Sequence, residues 1–296
     1  MTQPLLIPLP GNDHLVDGLA KTLGADVGNV AIRRFPDGES YLRYETPISG
    51  RSLTLVCTLD RPDNKFLPLM FAAAAARDLG ASRVGLICPY LAYMRQDRRF
   101  QPGEAVTSIY FAKLLSSQID WLVTVDPHLH RRGSLAEVYS VPTQVVHAAP
   151  LASNWIRHEV RIPLLIGPDS ESEQWVAAVA RDAGAPHVVL QKVRHGDRDV
   201  EVSVPDVARW RDHVPVLVDD IVSTGRTMIE TIGHLKREGM RSPVCVAVHG
   251  IFAGQAFSDL MLAGAAKVVT TNTVPHTSNA IDIISLLAQG VRAVAT

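Results

Sequence analysis

Short apolar runs alternate with helix-like stretches along almost the whole chain, and this alternation restricts the fold more than any other feature. The apolar runs are continuous, as in strands of parallel sheets that helices cover on both faces. The predicted strands are residues 5–9, 30–35, 40–45, 52–59, 83–91, 121–126, 163–169, 187–193, 214–220, 243–252 and 267–274. The predicted helices are residues 64–79, 106–118, 150–159, 173–183, 227–238 and 255–263. The sequence therefore predicts an α/β protein with mainly parallel sheets flanked by helices.

The chain of 296 residues is long enough for about two domains. There is no strict internal repeat, but each half contains a strand that ends in a polar turn, VTVDPHLH at 123–130 and VLVDDIVSTGRT at 216–227. Ligands of parallel sheets bind at the carboxyl ends of strands, so each half offers a candidate site. We expect two similar domains, residues 1–148 and 149–296, without a low-complexity linker between them.

Charge and apolar patterning exclude several classes of protein. Lys and Arg total 29 and Asp and Glu total 30, whereas a general nucleic-acid-binding protein carries a strongly basic face. The apolar stretch LPLMFAAAAA is too short to span a bilayer, and MTQPLLIPLPG lacks the basic start of a signal peptide. Cys57, Cys88 and Cys245 each lie in an apolar run, which is typical of buried reduced thiols. We expect a cytoplasmic protein with no nucleic-acid or membrane partner.

The segment VLVDDIVSTGRT carries the clearest chemistry. Asp219 and Asp220 end the strand, and a polar turn then opens a helix. The turn consists of Ser223, Thr224, Gly225, Arg226 and Thr227. Free N–H groups at a helix start hold phosphate, and paired carboxylates accept hydrogen bonds from neighbouring sugar hydroxyls. The alternative is an N-capped helix after a buried strand, but two adjacent carboxylates before such a turn favour a phosphosugar site.

This segment resembles the phosphoribosyl-diphosphate binding motif of type I phosphoribosyltransferase folds, which transferases and diphosphokinases share. Three further segments resemble ribose-phosphate diphosphokinases in particular: RRFPDGESYLR (33–43), PYLAYMRQDRRF (89–100) and VTVDPHLH (123–130). Taken alone, the first indicates only a hairpin with a Pro-Asp-Gly turn, and the second indicates only a charged loop. The resemblance implies two domains of the type I phosphoribosyltransferase kind, and it covers about residues 5 to 290.

The resemblance also implies roles for the N-terminal motifs. Phe35, Asp37 and Glu39 would hold the adenine of ATP, often across a subunit interface. Arg95, Gln96, Asp97 and Arg98 would complete the ATP site, where guanidinium groups can counter a triphosphate. His128 would contact the metal–nucleotide complex, whereas His130 has no counterpart and stays unassigned.

Two motifs of the second half carry further implied roles. IGPDSESEQW places Asp169 where the family has a second metal-associated residue, and the implied metal is Mg²⁺. LQKVRHGDRDVEV contains Lys192 and Arg194, which match a K-x-R pair that begins a loop closing over the transferred group. Cations two residues apart share one side of a strand, where they can stabilise charge on phosphate oxygens in the transition state.

The sequence departs from the family at two places. Residues 170–173 read Ser-Glu-Ser-Glu, where the family has a Gly-rich turn and arginines. Ser223 stands where diphosphokinases usually have Asp, and the loop is closer to the transferase style. Because of the second departure, the sequence does not decide which pentose phosphate the protein accepts.

The set of motifs predicts a ribose-phosphate diphosphokinase that transfers the diphosphoryl group of Mg-ATP to O1 of ribose 5-phosphate. His128, Lys192 and Arg194 would act in catalysis, and residues 219, 220 and 223–227 would bind ribose 5-phosphate. A phosphoribosyltransferase and a non-catalytic family member remain the alternatives. The resemblance also implies a homo-oligomer, a dimer or a hexamer.

Overall fold

The structure, a computed structural model, describes residues 3–129, 131–168, 172–194, 200–203 and 207–295. Only the backbone is described for residues 191–194 and 200–203. The chain forms two compact units. The N-terminal unit comprises residues 1–147, 273–275 and 283–296, and the C-terminal unit comprises residues 148–272 and 276–282.

The N-terminal unit is built on a six-stranded parallel sheet. Its strands, from one edge to the other, are β2 (Asp26–Val27), β1 (Leu5–Pro8), β5 (Ser52–Val56), β6 (Arg83–Cys88), β7 (Trp121–Val125) and β8 (Thr143–Val146). Its helices are α1 (Asp13–Leu23), α2 (Asp63–Asp78) and α3 (Thr107–Ser116). The central strands are almost wholly buried, which explains their continuous apolar sequences.

An antiparallel hairpin extends from this unit. It pairs β3 (Val30–Arg34) with β4 (Ser40–Tyr44), as the sequence predicted. The hairpin packs on α2, where the Tyr44 hydroxyl donates a 2.8 Å hydrogen bond to the carbonyl of Ala72.

The C-terminal unit repeats the architecture. Its parallel sheet runs in the order β10 (His187–Val189), β9 (Pro163–Gly167), β13 (Val214–Val222), β14 (Val244–Gly250), β15 (Lys267–Thr271) and β16 (Asn279–Ile281). Its helices are α4 (Ala149–Glu159), α5 (Glu173–Ala183), α6 (Arg226–Arg237) and α7 (Ala256–Ala263). The hairpin of this unit pairs β11 (Gln191–Arg194) with β12 (Val200–Ser203).

The expected single strand 187–193 is divided between two sheets. The N–H of Leu190 donates to the carbonyl of Gly167, which extends the parallel pairing of β10 with β9 by one bond. The next residue begins β11, which pairs antiparallel with β12 instead. A continuous apolar run does not reveal such a change of partner, because both kinds of strand have the same local sequence character.

The last helix, α8 (Ile284–Val294), belongs to the N-terminal unit. It packs against α1, β7 and β8. The approach is close, since a Cβ on Gly290 would lie 2.7 Å from Cγ1 of Val123. The division between the compact units falls at residues 147 and 148, and it assigns residues 273–275 and 283–296 to the first unit, where the sequence analysis places them in the second domain.

Both sheets reverse their strand order at one point. The chain runs from β1 to β2 on one side and later places β5 on the other side of β1, and β9 lies between β10 and β13 in the same way. The carboxyl ends of β1 and β5, and those of β9 and β13, therefore border the crevices where α/β sheets bind ligands. The predicted fold class, two parallel-sheet domains flanked by helices, is confirmed. No helix in the described part of the chain could cross a bilayer.

Candidate functional site

Asp219 and Asp220 lie at the switch point of the C-terminal sheet, near the carboxyl end of β13. The strand continues past both residues to Val222, and Asp219 pairs with Ala247 of the neighbouring strand β14. Both aspartates are half-buried. The Asp219 carboxylate accepts a 2.9 Å hydrogen bond from the N–H of Asp220. This bond fixes one oxygen of the Asp219 carboxylate against the backbone of Asp220.

The turn after β13 is anchored through its backbone. The carbonyl of Val222 accepts hydrogen bonds from the N–H groups of Ile251 and Phe252 (3.0 and 3.1 Å), and the carbonyl of Ser223 accepts one from Ala253 (3.0 Å). These bonds hold the start of the turn against residues 251–253. The anchored turn has the construction that a phosphate-binding loop needs.

Gly225 forms the junction between this turn and α6. Its φ of 69° and ψ of 4° lie in the left-handed region, which glycine adopts without steric cost. Arg226 begins the helix, Thr224 is exposed and Thr227 is half-buried. The structure thus brings Asp219, Asp220 and residues 223–227 together at a helix N-terminus, where free N–H groups carry positive potential.

The second hairpin lies beside this helix. Strand β12 packs against α6, and on β11 Lys192 pairs with Val202 and Arg194 with Val200. The side chains of Lys192 and Arg194 lie outside the described part of the structure, as do Asp169, Ser170, Glu171 and His130. Glu173 stands in the first turn of α5, where an acidic residue suits the helix dipole.

The predicted adenine segment forms the turn of the first hairpin. The N–H of Phe35 donates to the carbonyl of Glu39 at 2.8 Å, and the Asp37 carboxylate accepts from the N–H of Glu39 at 3.1 Å. The Phe35 ring is 40% exposed and meets the edge of the Tyr41 ring at 6.2 Å between centroids. The Arg33 guanidinium lies over one side of the Phe35 ring, 4.8 Å from its centre, so a flat, polar heterocycle would stack on the other side.

The arginine-rich segment after β6 is fixed by contacts to α3 and to residues 131–132. Thr107 of α3 donates to the side chain of Gln96 at 3.2 Å. The Asp97 carboxylate is buried and lies 3.2 Å from the Arg131 guanidinium, while Arg132 donates to the Asp97 carbonyl at 3.0 Å. Through these contacts, Asp97 connects its own loop to residues 131 and 132.

The arginines of this segment differ in what they contact. Arg95 and Arg98 are exposed, and the Arg98 guanidinium lies 4.9 Å from the centre of the Phe100 ring. Arg99 donates from Nε to the carbonyl of Glu104 at 3.0 Å. Arg95 and Arg98 therefore remain the cations of this loop that can meet an anionic ligand.

His128 follows β7 and is half-buried. Two residues earlier, Asp126 adopts φ 31°, a conformation that L-residues seldom occupy. Its carboxylate lies 2.8 Å from Nδ1 of His147, and this hydrogen bond raises the pKa of His147 above its ordinary value. The bend at Asp126 directs the chain toward His128, at the carboxyl end of the sheet.

The predicted ATP-site residues come from two segments, the first hairpin and the loop after β6. Among the described residues, no hydrogen bond or ion pair joins Phe35, Asp37 or Glu39 to residues 95–98. The described part of the chain also contains no cluster of three or more His, Cys, Asp or Glu side chains that could hold a metal ion.

Sequence reasoning missed Arg131, Arg132 and His147. Arg131 and Arg132 bind Asp97 across more than 30 residues of sequence, so no local pattern marked them. His147 lies 21 residues from Asp126 and follows β8, a strand that the sequence did not predict. The contact between Asp126 and His147 could have been predicted only from the pairing of β7 with β8, which brings the carboxyl ends of the two strands together.

Comparison with known proteins agrees with this geometry. Residues 5–118 match the N-terminal domain of ribose phosphate pyrophosphokinase, and residues 134–272 match the phosphoribosyl transferase domain. A ribose-phosphate pyrophosphokinase of Methanopyrus kandleri is 33% identical over 92% of this chain and 93% of its own length. The chain belongs to the ribose-phosphate pyrophosphokinase family. A second relative with that name, from Methanothermobacter thermautotrophicus, is 31% identical over 96% of this chain and 98% of its own.

A solved structure shows the same fold over the whole chain. The crystal structure of phosphoribosylpyrophosphate synthetase from Mycobacterium smegmatis superposes with a TM-score of 0.85 at 25% identity and covers 99% of both chains. Ribose-phosphate pyrophosphokinases are diphosphotransferases, so the chain is an enzyme of this class. The predicted family membership is thereby confirmed.

Proposed function

We propose that the protein transfers the β,γ-diphosphoryl group of Mg-ATP to the 1-hydroxyl of ribose 5-phosphate, giving phosphoribosyl diphosphate and AMP. The observation that carries the proposal is the pair Asp219 and Asp220 beside an anchored turn that opens a helix. Membership in the family supports the same activity.

Ribose 5-phosphate binds in the C-terminal unit. The 5-phosphate lies on the N–H groups of residues 223–227, where the helix dipole favours an anion. Asp219 and Asp220 accept hydrogen bonds from the ribose hydroxyls. The positions of Thr224 and Thr227 allow their hydroxyls to donate to the phosphate. Ser223 offers a hydroxyl where diphosphokinases usually have a carboxylate. The identity of the pentose phosphate that binds should therefore be tested directly.

ATP binds through the residues of the N-terminal unit. Phe35, Asp37 and Glu39 hold the adenine, and Arg95 and Arg98 with Gln96 bind the phosphates or the base. His128 and Asp169 would hold Mg²⁺ together with phosphate oxygens. The oxygen of Asp169 suits this hard cation, and Mg²⁺ usually keeps several waters and few protein ligands. When bound, Mg²⁺ neutralises charge on the triphosphate.

The transfer needs positioning and charge stabilisation more than acid–base chemistry. The 1-hydroxyl oxygen of ribose forms a bond to the β-phosphorus, the bond from that phosphorus to the α,β-bridging oxygen breaks, and the hydroxyl proton passes to solvent. AMP leaves with the bridging oxygen. Lys192 and Arg194 stabilise the added negative charge on the β-phosphate oxygens.

Phosphorus NMR of the purified protein with Mg-ATP and ribose 5-phosphate tests this proposal. We expect AMP to form in step with a sugar C1 diphosphate. ADP together with a phosphorylated sugar would contradict it and indicate an ordinary kinase. Turnover of phosphoribosyl diphosphate with a base would indicate a phosphoribosyltransferase, which the Ser223 loop favours. ATP binding without turnover would indicate a non-catalytic member.

A homo-oligomer, a dimer or a hexamer, is part of the proposal. In the family, the segment that corresponds to Phe35, Asp37 and Glu39 often holds adenine across a subunit interface, which supports an oligomer. Neighbouring helices α2 and α3, joined by the Phe66–Phe111 ring contact at 4.9 Å, expose large apolar side chains. These are Leu67, Phe71, Ile109, Tyr110 and Leu114, each 43–53% exposed. Such a patch suits a protein interface.

Sedimentation velocity tests the oligomer. Leu114→Asp is expected to lower the sedimentation coefficient, because it places a charge inside the patch. Leu262→Asp on α7 is the matched control, since Leu262 is 85% exposed and lies in the other unit. A monomeric wild-type protein would contradict the proposal.

A further inference from the structure

The N-terminal sheet has the same switch point as the C-terminal sheet, but none of the residues assigned above to ATP lines it. In the C-terminal unit the crevice at β9 and β13 carries the proposed ribose 5-phosphate site. In the N-terminal unit the equivalent crevice lies at the carboxyl ends of β1 and β5. Ligands of open α/β sheets bind at such crevices.

A cavity of about 320 Å³ occupies this crevice. Its size falls within the range of ligand-binding pockets, roughly 300–1,000 Å³. Leu9 and Pro10 follow β1, and Cys57 follows β5, so the cavity begins where the two strands end. The hairpin and the first turns of α2 supply the remaining walls. Those walls consist of Ile32, Arg33, Arg34, Ser40, Asn64, Lys65 and Pro68.

The floor of the cavity is apolar and uncharged. Leu9 and Cys57 are buried, and burial raises the pKa of the Cys57 thiol to about 12. The thiol is therefore neutral at physiological pH. Ile32 and Pro68 add further apolar surface. Such a floor favours the apolar body of an organic ligand over a hydrated ion.

The rim carries positive charge. Arg34 pairs across the hairpin with Ser40, and the two share a face with Ile32. Lys65 forms an ion pair with Asp60, so its charge is compensated. The Arg33 guanidinium lies over the rings of Phe35 and Tyr41, at 4.8 and 4.2 Å.

Arg34 is held at the rim by a defect in α2. Pro68 has no N–H, so the carbonyl of Asn64 lacks its helical hydrogen bond. The Arg34 guanidinium donates to this carbonyl at 3.4 Å and to the Asn64 side-chain oxygen at 3.2 Å. Within the described residues no carboxylate pairs with Arg34. A positive charge is thus fixed on neutral acceptors beside an apolar cavity.

We propose that this cavity binds a small organic anion, with its apolar body on Leu9, Ile32 and Pro68 and its phosphate or carboxylate on Arg34. The N-terminus of α2 adds to the positive potential, since Asn64 and Lys65 lie in its first turn. None of the residues proposed to bind ATP or ribose 5-phosphate lines this cavity, although Arg34 and Ser40 adjoin the turn that carries Phe35, so the site goes beyond the proposed function.

Calorimetric titration of the full-length protein with 1-naphthyl phosphate tests the site. Saturating ribose 5-phosphate and a non-hydrolysable ATP analogue are present to occupy the sites proposed above. We expect 1-naphthyl phosphate to bind at least tenfold more tightly than inorganic phosphate or 1-naphthol, because only it engages both the rim and the floor. Equal binding of the three probes, or no binding of 1-naphthyl phosphate, overturns the proposal.

Two variants locate the binding. Arg34→Gln removes the charge, and Pro68→Ala restores an N–H that competes with Arg34 for the Asn64 carbonyl. We expect at least a fivefold loss of affinity in the first and about a threefold loss in the second. Pro68→Ala removes a helix-breaking residue, so folding is not at risk. Arg43→Gln is the matched control, because Arg43 lies on the same hairpin, bound to Glu45 and outside the cavity.

The pattern of variants decides the outcome. Unchanged affinity in both Arg34→Gln and Pro68→Ala overturns the proposal, as does an equal loss in Arg43→Gln. The readout is binding rather than turnover, so failure of the proposed diphosphoryl transfer and failure of this site are distinguishable.

Discussion

Nδ1 of His147 lies 2.8 Å from a carboxylate oxygen of Asp126, and this contact joins the ends of two neighbouring strands. The hydrogen bond from the imidazole to Asp126 raises the pKa of His147. The pKa of His147 is therefore higher in the folded protein than in the unfolded chain, where it is about 6.5. The protonated pair stabilises the fold fully below the unfolded-state pKa. This stabilisation is lost as the pH rises through the folded-state pKa.

The pair therefore predicts a pH-dependent stability. The free energy of unfolding in urea is measured between pH 5.5 and pH 9 for the wild type and for His147→Gln. We expect the wild type to exceed the variant at low pH and the difference to shrink as the pH rises. A difference that grows with pH would show that the contact does not favour the protonated imidazole.

Gly225→Ala tests the junction between the polar turn and α6. A Cβ would lie 3.4 Å from Leu260, which is tolerable, so the cost comes from the left-handed backbone, about 1–2 kcal/mol of unfolding free energy. We also expect a higher KM for ribose 5-phosphate. Gly239→Ala is the control, because Gly239 has φ 71° and no atom within 4 Å of its Cβ position. It should lose similar stability and keep the KM. Equal KM values in the two variants would argue against a phosphate site at the junction.

Asp220→Asn tests the sugar contact. Loss of charge-assisted hydrogen bonds to ribose hydroxyls is expected to raise the KM for ribose 5-phosphate about tenfold and to leave the KM for ATP unchanged. Asp212→Asn, at an exposed position on the same unit, should change neither constant. Steady-state kinetics with each substrate varied in turn gives both values. An unchanged KM for ribose 5-phosphate in Asp220→Asn would remove Asp220 from the site.

Lys192→Ala tests transition-state stabilisation. We expect kcat to fall about a hundredfold while the affinity for ribose 5-phosphate changes little, because the charge is needed on the transferred group rather than on the sugar. Lys236→Ala, at an exposed position of α6, is the matched control and should keep wild-type kcat. If kcat and affinity fell by the same factor in Lys192→Ala, the lysine would bind substrate rather than stabilise the transition state.

The three cysteines offer a test of the cores. Cys57, Cys88 and Cys245 are free and buried, and burial raises the pKa of each thiol, to about 12 for Cys57 and Cys245. Thiolate is the reactive form, so iodoacetamide at pH 8 should label none of them in the folded protein and all three in urea. Mass spectrometry counts the labels. Rapid labelling of native protein would show that a core opens readily.

The grouping of the residues proposed to bind ribose 5-phosphate could be predicted from sequence, because these residues are neighbours in the chain. Asp219, Asp220 and residues 223–227 are contiguous, and an apolar run before them and a helix after them fix their surroundings. The turn of the first hairpin was predictable for the same reason, since Pro36-Asp37-Gly38 carries its own turn signal.

Features that depend on distant partners could not be predicted. The resemblance assigns Asp97 to ATP, and no local pattern predicts that its buried carboxylate also contacts Arg131 on another loop. Helices α1 and α8 and the short strands β2, β8, β12 and β16 were missed. The strands have only two to four residues each and carry little periodic signal of their own. The two helices have eleven residues each and a buried apolar side, so the sequence did carry the pattern of an amphipathic helix there.

The position of α8 has a consequence for biosynthesis. Helix α8 packs on β7 and β8 of the N-terminal unit, yet the ribosome makes it only after the whole of the C-terminal unit. In a nascent chain, β7 and β8 therefore lack this cover until residues 284–294 emerge. A chain that terminates before residue 284 leaves part of the N-terminal sheet open to chaperones and proteases.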